Sequence, residues 1–164
     1  MGIRRLGAIV TAVIAVGAFS VGCSSDSSTA AVGTTTTSDT SVPCTSPDAG
    51  TGTAVGVTEK DFAIALDSDS TSAGSISFNV DNEGPSTHEF VVFATDLEPD
   101  ALPVGSDGNV DEEGEGVTHI DEIEDIGSGC QASLTVDLDA GNYVLICNLP
   151  GHYKAGMNTA FTVT

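Results

Sequence analysis

Basic residues are scarce in this chain of 164 residues, which carries 4 Lys and Arg against 24 Asp and Glu. Proteins that bind nucleic acid use Lys and Arg to displace counterions from the phosphate backbone, so nucleic acid is not an expected partner. Aromatic residues are also few, at 5% of the chain. Aliphatic residues are nevertheless plentiful enough for one modest core, and we expect a single domain with extensions.

Residues 1–22 have the pattern of a secretion signal. Arg4 and Arg5 form a charged start, and residues 6–19 form an apolar run that is too short for a typical membrane span. Small residues then lead to Cys23. This arrangement resembles a bacterial lipoprotein box, in which the Cys becomes the lipidated first residue of an exported protein on the outer face of the cell membrane. An ordinary signal peptide cleaved nearby is the alternative.

Residues 24–41 consist mainly of Ser, Thr, Ala, Gly and Asp and offer almost nothing to bury. Such a composition cannot offset the entropy lost on ordering, so we predict a flexible tether over 23–41. A tether behind a lipid anchor would let the domain, placed at 42–164, reach a partner above the membrane.

The domain has the residue pattern of an all-β fold. Apolar residues alternate with polar ones over short stretches, which are separated by turns rich in Gly, Ser, Asp and Asn. About eight strands with such turns predict a Greek-key β-sandwich without an amphipathic helix. We predict strands at 55–57, 62–66, 75–80, 88–94, 117–126, 132–138, 143–147 and 159–163, with Phe62, Ile64 and Leu66 on one face of the second.

Three metal-binding side chains lie in one short segment near the C-terminus. Four residues separate Cys147 from His152, and four more separate His152 from Met157. Two His and one Cys with a weak axial Met form the ligand set of a blue-copper electron-transfer centre. The second His must come from elsewhere, and the candidate is His88, which opens a strong predicted strand.

At these positions the sequence resembles the cupredoxins, small β-sandwich copper proteins, and looks most like rusticyanin and sulfocyanin. The resemblance covers roughly the last two-thirds of the chain. It includes the Pro-Gly pair ahead of the late His and a Gly-x-Tyr strand that leads into the Cys. Many cupredoxins have Asn directly after the first His, whereas this chain has Glu89. The resemblance implies one type 1 copper ion held by His88, Cys147, His152 and Met157.

The resemblance also implies a carrier of single electrons rather than an enzyme, because protein ligands fill every position around the metal. In cupredoxins the His of the late loop is the partly exposed port for electrons. Carried over to this chain, the port is Leu149, Pro150, Gly151 and His152. We expect a monomer whose partners are other redox proteins, either basic or membrane-bound.

Two other classes of copper protein fit the composition less well. Copper storage or delivery, the alternative function, uses exposed clusters of Met and His, and this chain has 2 Met. A nitrite reductase or multicopper oxidase needs further copper centres, and therefore more than the 3 His present.

Cys44 and Cys130 remain once Cys23 is assigned to lipid and Cys147 to copper. In an exported protein they would form a disulfide that joins the start of the domain to the strand at 132–138. Two free thiols or an accessory metal site are the alternatives.

Two acidic stretches remain, and His119 in one of them matches no ligand of the family. His119 is predicted to be a solvated strand residue. The Gly-rich segment 96–116 is predicted to be a solvated surface loop. A calcium loop is disfavoured there because Glu112 stands where an EF-hand needs Gly.

Overall fold

The structure, a computed structural model, describes residue 44 and residues 50–164. The predicted signal at 1–22, the lipidation site Cys23, the tether to residue 41 and the predicted domain start at 42 lie outside the described residues. They remain predictions from sequence.

The described residues form nine strands and one helical turn. Eight strands coincide with predicted ones. The ninth, β3, lies in a stretch that the sequence predicted as a turn, because two residues are too few to show alternation. The elements are β1 (Thr53–Lys60), β2 (Ala63–Leu66), β3 (Ser70–Thr71), β4 (Gly74–Asn82), β5 (His88–Ala94), β6 (Thr118–Ile126), β7 (Gln131–Leu138), β8 (Gly141–Ile146), α1 (His152–Ala155) and β9 (Asn158–Val163).

The strands form two sheets, in the orders β2-β1-β4-β7 and β3-β9-β8-β5-β6. Most neighbours are antiparallel, whereas β1 with β4 and β3 with β9 run parallel. The predicted all-β sandwich is confirmed. Within the part of the chain that the structure describes, no helix has the length and apolar character needed to cross a bilayer.

The main core lies between the two sheets. Phe78 of β4 is fully buried, and its ring centroid lies 5.4 Å from that of Phe90 and 5.3 Å from that of Phe161. These contacts join the sheets, and each buried ring contributes roughly 1.5–3 kcal/mol relative to an exposed one. Tyr143 is also buried, and its hydroxyl donates a hydrogen bond to the Asp139 carbonyl at 2.8 Å.

A second apolar cluster covers the outer face of the β3-β9-β8-β5-β6 sheet. Leu102 and Val110, from the segment between β5 and β6, are each 4% exposed and pack with Tyr153. The Leu102 N–H donates to the Tyr153 hydroxyl at 2.9 Å. The expectation that 96–116 is wholly solvated is therefore wrong. The burial was not predictable, because the few apolar residues of 96–116 are too widely spaced to form a periodic pattern.

A disulfide joins Cys44 to Cys130, with their Cα atoms 5.0 Å apart. This is the pairing that the sequence analysis favoured over free thiols. In the chain-entropy model, closing a loop of 86 residues stabilises a fold by about 4.6 kcal/mol. Cys147 is the free cysteine among the described residues, and it is buried.

Candidate metal centre

Three of the predicted copper ligands meet at one end of the sandwich. His88 begins β5 and Cys147 directly follows β8, and these strands are antiparallel neighbours. Nδ1 of His152 lies 3.3 Å from Nδ1 of His88 and 3.3 Å from Sγ of Cys147, which is 3.9 Å from Nδ1 of His88. His88 and Cys147 are completely buried, whereas His152 is partly exposed.

These separations fit a trigonal metal site. Metal bonds of about 2.0–2.1 Å to nitrogen and about 2.3 Å to sulfur, set at 120°, place the ligand atoms about 3.5–3.8 Å apart. Two imidazole nitrogens with one thiolate sulfur are the equatorial set of a blue-copper centre. The residues present therefore fit one copper ion.

Met157 ends the ligand loop and is completely buried. The Cys147 N–H donates to the Met157 carbonyl at 3.1 Å, and the Met157 N–H donates to the His152 carbonyl at 3.1 Å. Backbone hydrogen bonds thus hold all three residues of the loop together. The Met157 thioether would supply the weak fourth ligand of a blue-copper centre.

The loop turns sharply through α1, a single helical turn between two glycines. Gly151 has φ 86° and Gly156 has φ 113°, and both values lie in the left-handed region, which favours glycine. The Gly156 N–H closes the turn on the His152 and Tyr153 carbonyls. The sequence analysis expected no helix, because four residues are too few to show a helical period.

A carboxylate lies against the second nitrogen of His88. Oδ1 of Asp61 is 3.2 Å from His88 Nε2. The two atoms are close without hydrogen-bond geometry, so Asp61 acts on His88 through its charge, which favours a proton on Nε2 and leaves Nδ1 for the metal. Ser86 holds Asp61 through its N–H at 3.2 Å and its hydroxyl at 2.7 Å, and the hydroxyl contact lowers the pKa of Asp61. Asp61 could not be recognised from the sequence, because no local pattern links it to His88.

The protonation states of the ligands are set by burial. Burial raises the pKa of the Cys147 thiol to about 11, although N–H donation from Glu89 at 3.3 Å opposes the shift. Burial, aided by His152, lowers the pKa of His88. The imidazole is therefore ready to bind metal, whereas Cys147 must release a proton when a metal binds. Glu89 contacts the Cys147 sulfur through its backbone N–H rather than through its side chain.

The predicted electron port surrounds the exposed edge of His152. Pro150 and Gly151 are exposed, and Leu149 is half-buried. The structure adds Phe62, whose ring edge lies against the His152 ring with 5.3 Å between centroids.

Phe62 is 48% exposed, which corrects the prediction that it shares a face with Ile64 and Leu66. It lies in the turn before β2, where strand alternation has not begun.

A β-sandwich with two His, one Cys and one Met at its end defines the class of blue-copper proteins called cupredoxins. The family model of the sulfocyanin (SoxE) domain matches residues 50–164. The chain belongs to the sulfocyanin family, and its cofactor is one type 1 copper ion. Cupredoxins carry electrons rather than catalyse reactions, so copper-based electron transfer is the general role.

The chain resembles several solved structures, of which auracyanin B supports this fold. Auracyanin B is 24% identical, with a TM-score of 0.51 over 76% of this chain and 95% of that chain. Auracyanin from Roseiflexus castenholzii is 20% identical over 70% and 99% of the two chains, with a TM-score of 0.49. Rusticyanin from Thiobacillus ferrooxidans is 17% identical over 69% and 79%, with a TM-score of 0.46. No curated protein sequence matches the chain significantly.

Proposed function

We propose that this protein carries single electrons between redox protein partners at the outer face of the cell membrane. The observation that carries the proposal is the buried set of His88, Cys147 and His152, whose ligand atoms lie 3.3–3.9 Å apart. Copper bound in such a site alternates between Cu(I) and Cu(II), and so carries one electron.

The surrounding residues suit rapid electron transfer, because they hold the ligands in fixed positions. Asp61 and β5 fix His88, while backbone hydrogen bonds within the loop fix Cys147 and Met157. Ligands that move little between two oxidation states need little reorganisation at each transfer. Storage or delivery, the alternative role, is less well supported, because His88, Cys147 and Met157 are completely buried.

The surface around His152 supports docking of a redox partner. We call Phe62, Leu149, Pro150 and Gly151 the port patch. These side chains are apolar or absent, so a partner could press against them and exclude water while His152 conducts the electron. With a net charge of −20, the protein would attract a basic partner over a distance.

The outer-face location depends on Cys23 and the signal segment before it. We propose that Cys23 carries lipid and that residues 24–41 tether the domain to the membrane. Expressed in its host, the wild type should sediment with membranes, whereas Cys23→Ala should be soluble. Equal sedimentation of the two proteins would contradict the anchor without affecting the copper site.

The experiment that tests the central role is spectroscopy of the copper-loaded protein followed by a redox titration. The Cu(II) form should absorb intensely in the visible range through charge transfer from Cys147, and should undergo a reversible one-electron reduction. Cys147→Ser should abolish the colour while the far-ultraviolet circular dichroism stays that of a β-sandwich. A colourless Cu(II) wild type would refute the proposal.

A further inference from the structure

We propose that Glu112, His119 and Glu122 form a second metal site for one divalent first-row transition cation, with Zn²⁺ as its probe. One ligand atom of each residue lies within 4.8 Å of those of the other two. The site lies on the outer face of the β3-β9-β8-β5-β6 sheet and shares no ligand with the copper centre. It is independent of the proposed role in electron transfer.

A β-bulge brings two of these ligands together. Glu122 pairs with Val91 and His119 pairs with Phe93, with a shift of register between Val92 and Phe93. Side chains three positions apart in a regular strand point to opposite faces. The extra residue of the bulge turns His119 and Glu122 to the same face, and bulges commonly aim side chains at functional sites.

His119, predicted to be solvated, is half-buried, and one nitrogen of its imidazole is enclosed without a hydrogen-bond partner among the described residues. Its Nε2 has no accessible surface and makes no hydrogen bond with any described residue. The Glu122 Oε2 atom lies 3.5 Å away, farther than the usual hydrogen-bond range of about 2.7–3.2 Å. An edge contact with Phe93, at 5.7 Å between centroids, fixes the ring. A buried polar atom without a partner calls for an explanation such as an ion.

Glu112 reaches the site from the segment between β5 and β6 and is held from behind. The Asn148 side-chain amide donates to Glu112 Oε1 at 3.0 Å. Asn148 is itself 8% exposed and is fixed by two hydrogen bonds with the Val110 backbone, at 2.8 and 3.2 Å. This network positions Glu112 and leaves its Oε2 for a metal.

The surrounding charge favours a cation. Glu89 and Glu124 lie beside Glu122, and the ligand atoms of these three residues also fall within 4.8 Å of one another. In the part of the chain that the structure describes, Lys60–Glu83 is the ion pair made by a Lys or Arg, so neither residue type neutralises this group. Burial and the charge of Glu112 raise the pKa of Glu122.

The donor types define the class of ion. An imidazole nitrogen suits Zn²⁺ and its first-row neighbours, whereas Ca²⁺ and Mg²⁺ are bound through oxygen ligands. A cation at this site would link β6 to the segment before it. It would therefore stabilise the folded protein by mass action.

The test is a calorimetric titration of the copper-loaded protein with Zn²⁺, since bound copper keeps Zn²⁺ out of the first site. One Zn²⁺ should bind per chain, and the melting temperature should rise with Zn²⁺ concentration. His119→Gln and Glu122→Gln should each weaken binding by more than about tenfold. Glu113→Gln is the matched control. Glu113 is exposed and adjoins Glu112 in the chain, and its substitution removes one negative charge, as Glu122→Gln does.

Three results would overturn the site. In the first, Zn²⁺ does not bind to the copper-loaded wild type. In the second, Glu113→Gln weakens Zn²⁺ binding as much as Glu122→Gln does, and in the third, His119→Gln binds Zn²⁺ with the wild-type affinity. The second would mean that the acidic surface attracts cations without a defined site. The visible absorption of copper reports the fold of each variant, so lost Zn²⁺ affinity cannot be mistaken for unfolding. A negative result leaves the copper function untouched.

Discussion

Oδ1 of Asp61 lies 3.2 Å from Nε2 of His88, and Ser86 donates one hydrogen bond to each oxygen of the same carboxylate. Partners of this kind orient a metal-binding imidazole and increase its basicity. A negative charge beside the imidazole stabilises Cu(II) more than Cu(I), because Cu(II) carries the greater positive charge. We therefore expect Asp61 to lower the reduction potential of copper bound at this site.

Asp61→Asn keeps the shape of the side chain and removes its charge, so we expect the midpoint potential to rise. We expect a rise of up to about 60 mV, which corresponds to a tenfold change in the equilibrium constant of a one-electron reduction. The measurement is a redox titration followed at the visible band. Asp67→Asn, at an exposed position in the same part of the chain, is the control. Equal potentials for Asp61→Asn and the wild type would show that the contact does not tune the metal.

Glu59 is a second residue with an unusual environment. It lies on β1, is 0% exposed, and neither of its carboxylate oxygens has a hydrogen-bond partner among the described residues. Burial, with a smaller contribution from Glu89, raises its pKa from 4.5 to about 8. At neutral pH Glu59 is therefore protonated in the folded protein and ionised in the unfolded chain, so folding takes up one proton at this residue.

The raised pKa makes stability depend on pH in a defined direction. The contribution of Glu59 is fully present below pH 4.5 and is lost as the pH rises towards about 8, with a slope of roughly 1.4 kcal/mol per pH unit. We expect urea denaturation to show that Glu59→Gln makes the pH slope shallower between pH 5 and pH 8, while Glu89, whose pKa burial raises to about 7, continues to contribute. Glu98→Gln, at an exposed position, should retain it. An unchanged slope in Glu59→Gln would contradict the assignment.

At the scale of elements, the copper centre depends on the sharp turn around α1. Gly156 has φ 113°, and a Cβ there would lie 3.6 Å from the Phe62 carbonyl oxygen. The obstacle to a side chain is therefore backbone conformation rather than space. A side chain at position 156 would therefore strain the turn that brings the backbone of Met157 next to that of Cys147.

Gly156→Ala should destabilise the copper-free domain by about 1–2 kcal/mol, since L residues are strained at this backbone conformation. We also expect weaker copper binding, because the turn positions His152 and Met157. Gly141→Ala is the control, as that glycine has an ordinary φ and 3.9 Å of room to the Tyr143 ring. Urea denaturation and competition with a copper chelator measure the two effects. Equal losses for the two alanine variants would argue against a special role for this turn.

Elements with several alternating residues were predictable from sequence, because alternation directly reports which face of a strand is buried. The ligand loop was predictable because Cys147, His152 and Met157 lie close together in the chain. Asp61 was not, since its contact with His88 exists only once β1 and β5 approach each other. The same holds for His119 and Glu122, because a period of two places them on opposite faces and only the bulge reverses this.

At the scale of the whole molecule, a large negative net charge accompanies a small apolar area beside His152. The net charge is −20, whereas the port patch contains Phe62, Leu149 and Pro150 and no ionisable side chain. Charge would bring a basic partner near from any direction, and the apolar area would decide where it settles. We therefore propose that partner capture depends on the overall charge, whereas partner orientation depends on the port patch.

This division can be tested by placing one negative charge at two positions. Leu149→Glu alters the port patch. Leu97→Glu places the same charge at a side chain that is 37% exposed and follows β5 at the end of that strand opposite His88. Both variants should keep the visible spectrum, since neither residue binds copper. We expect Leu149→Glu to slow electron self-exchange and reduction by a basic cytochrome, whereas Leu97→Glu should leave both rates close to those of the wild type.

Salt separates the two contributions further. Raising the ionic strength should slow the reaction of the wild type with the basic cytochrome, because screening shortens the reach of the acidic surface. It should speed self-exchange, since two copies of the same acidic protein repel each other. The defect of Leu149→Glu should persist at high salt if the substitution disrupts apolar contact at the port patch. If high salt instead restores the wild-type rate, charge alone explains the defect. If Leu97→Glu and Leu149→Glu are equally slow, the electron does not leave through His152.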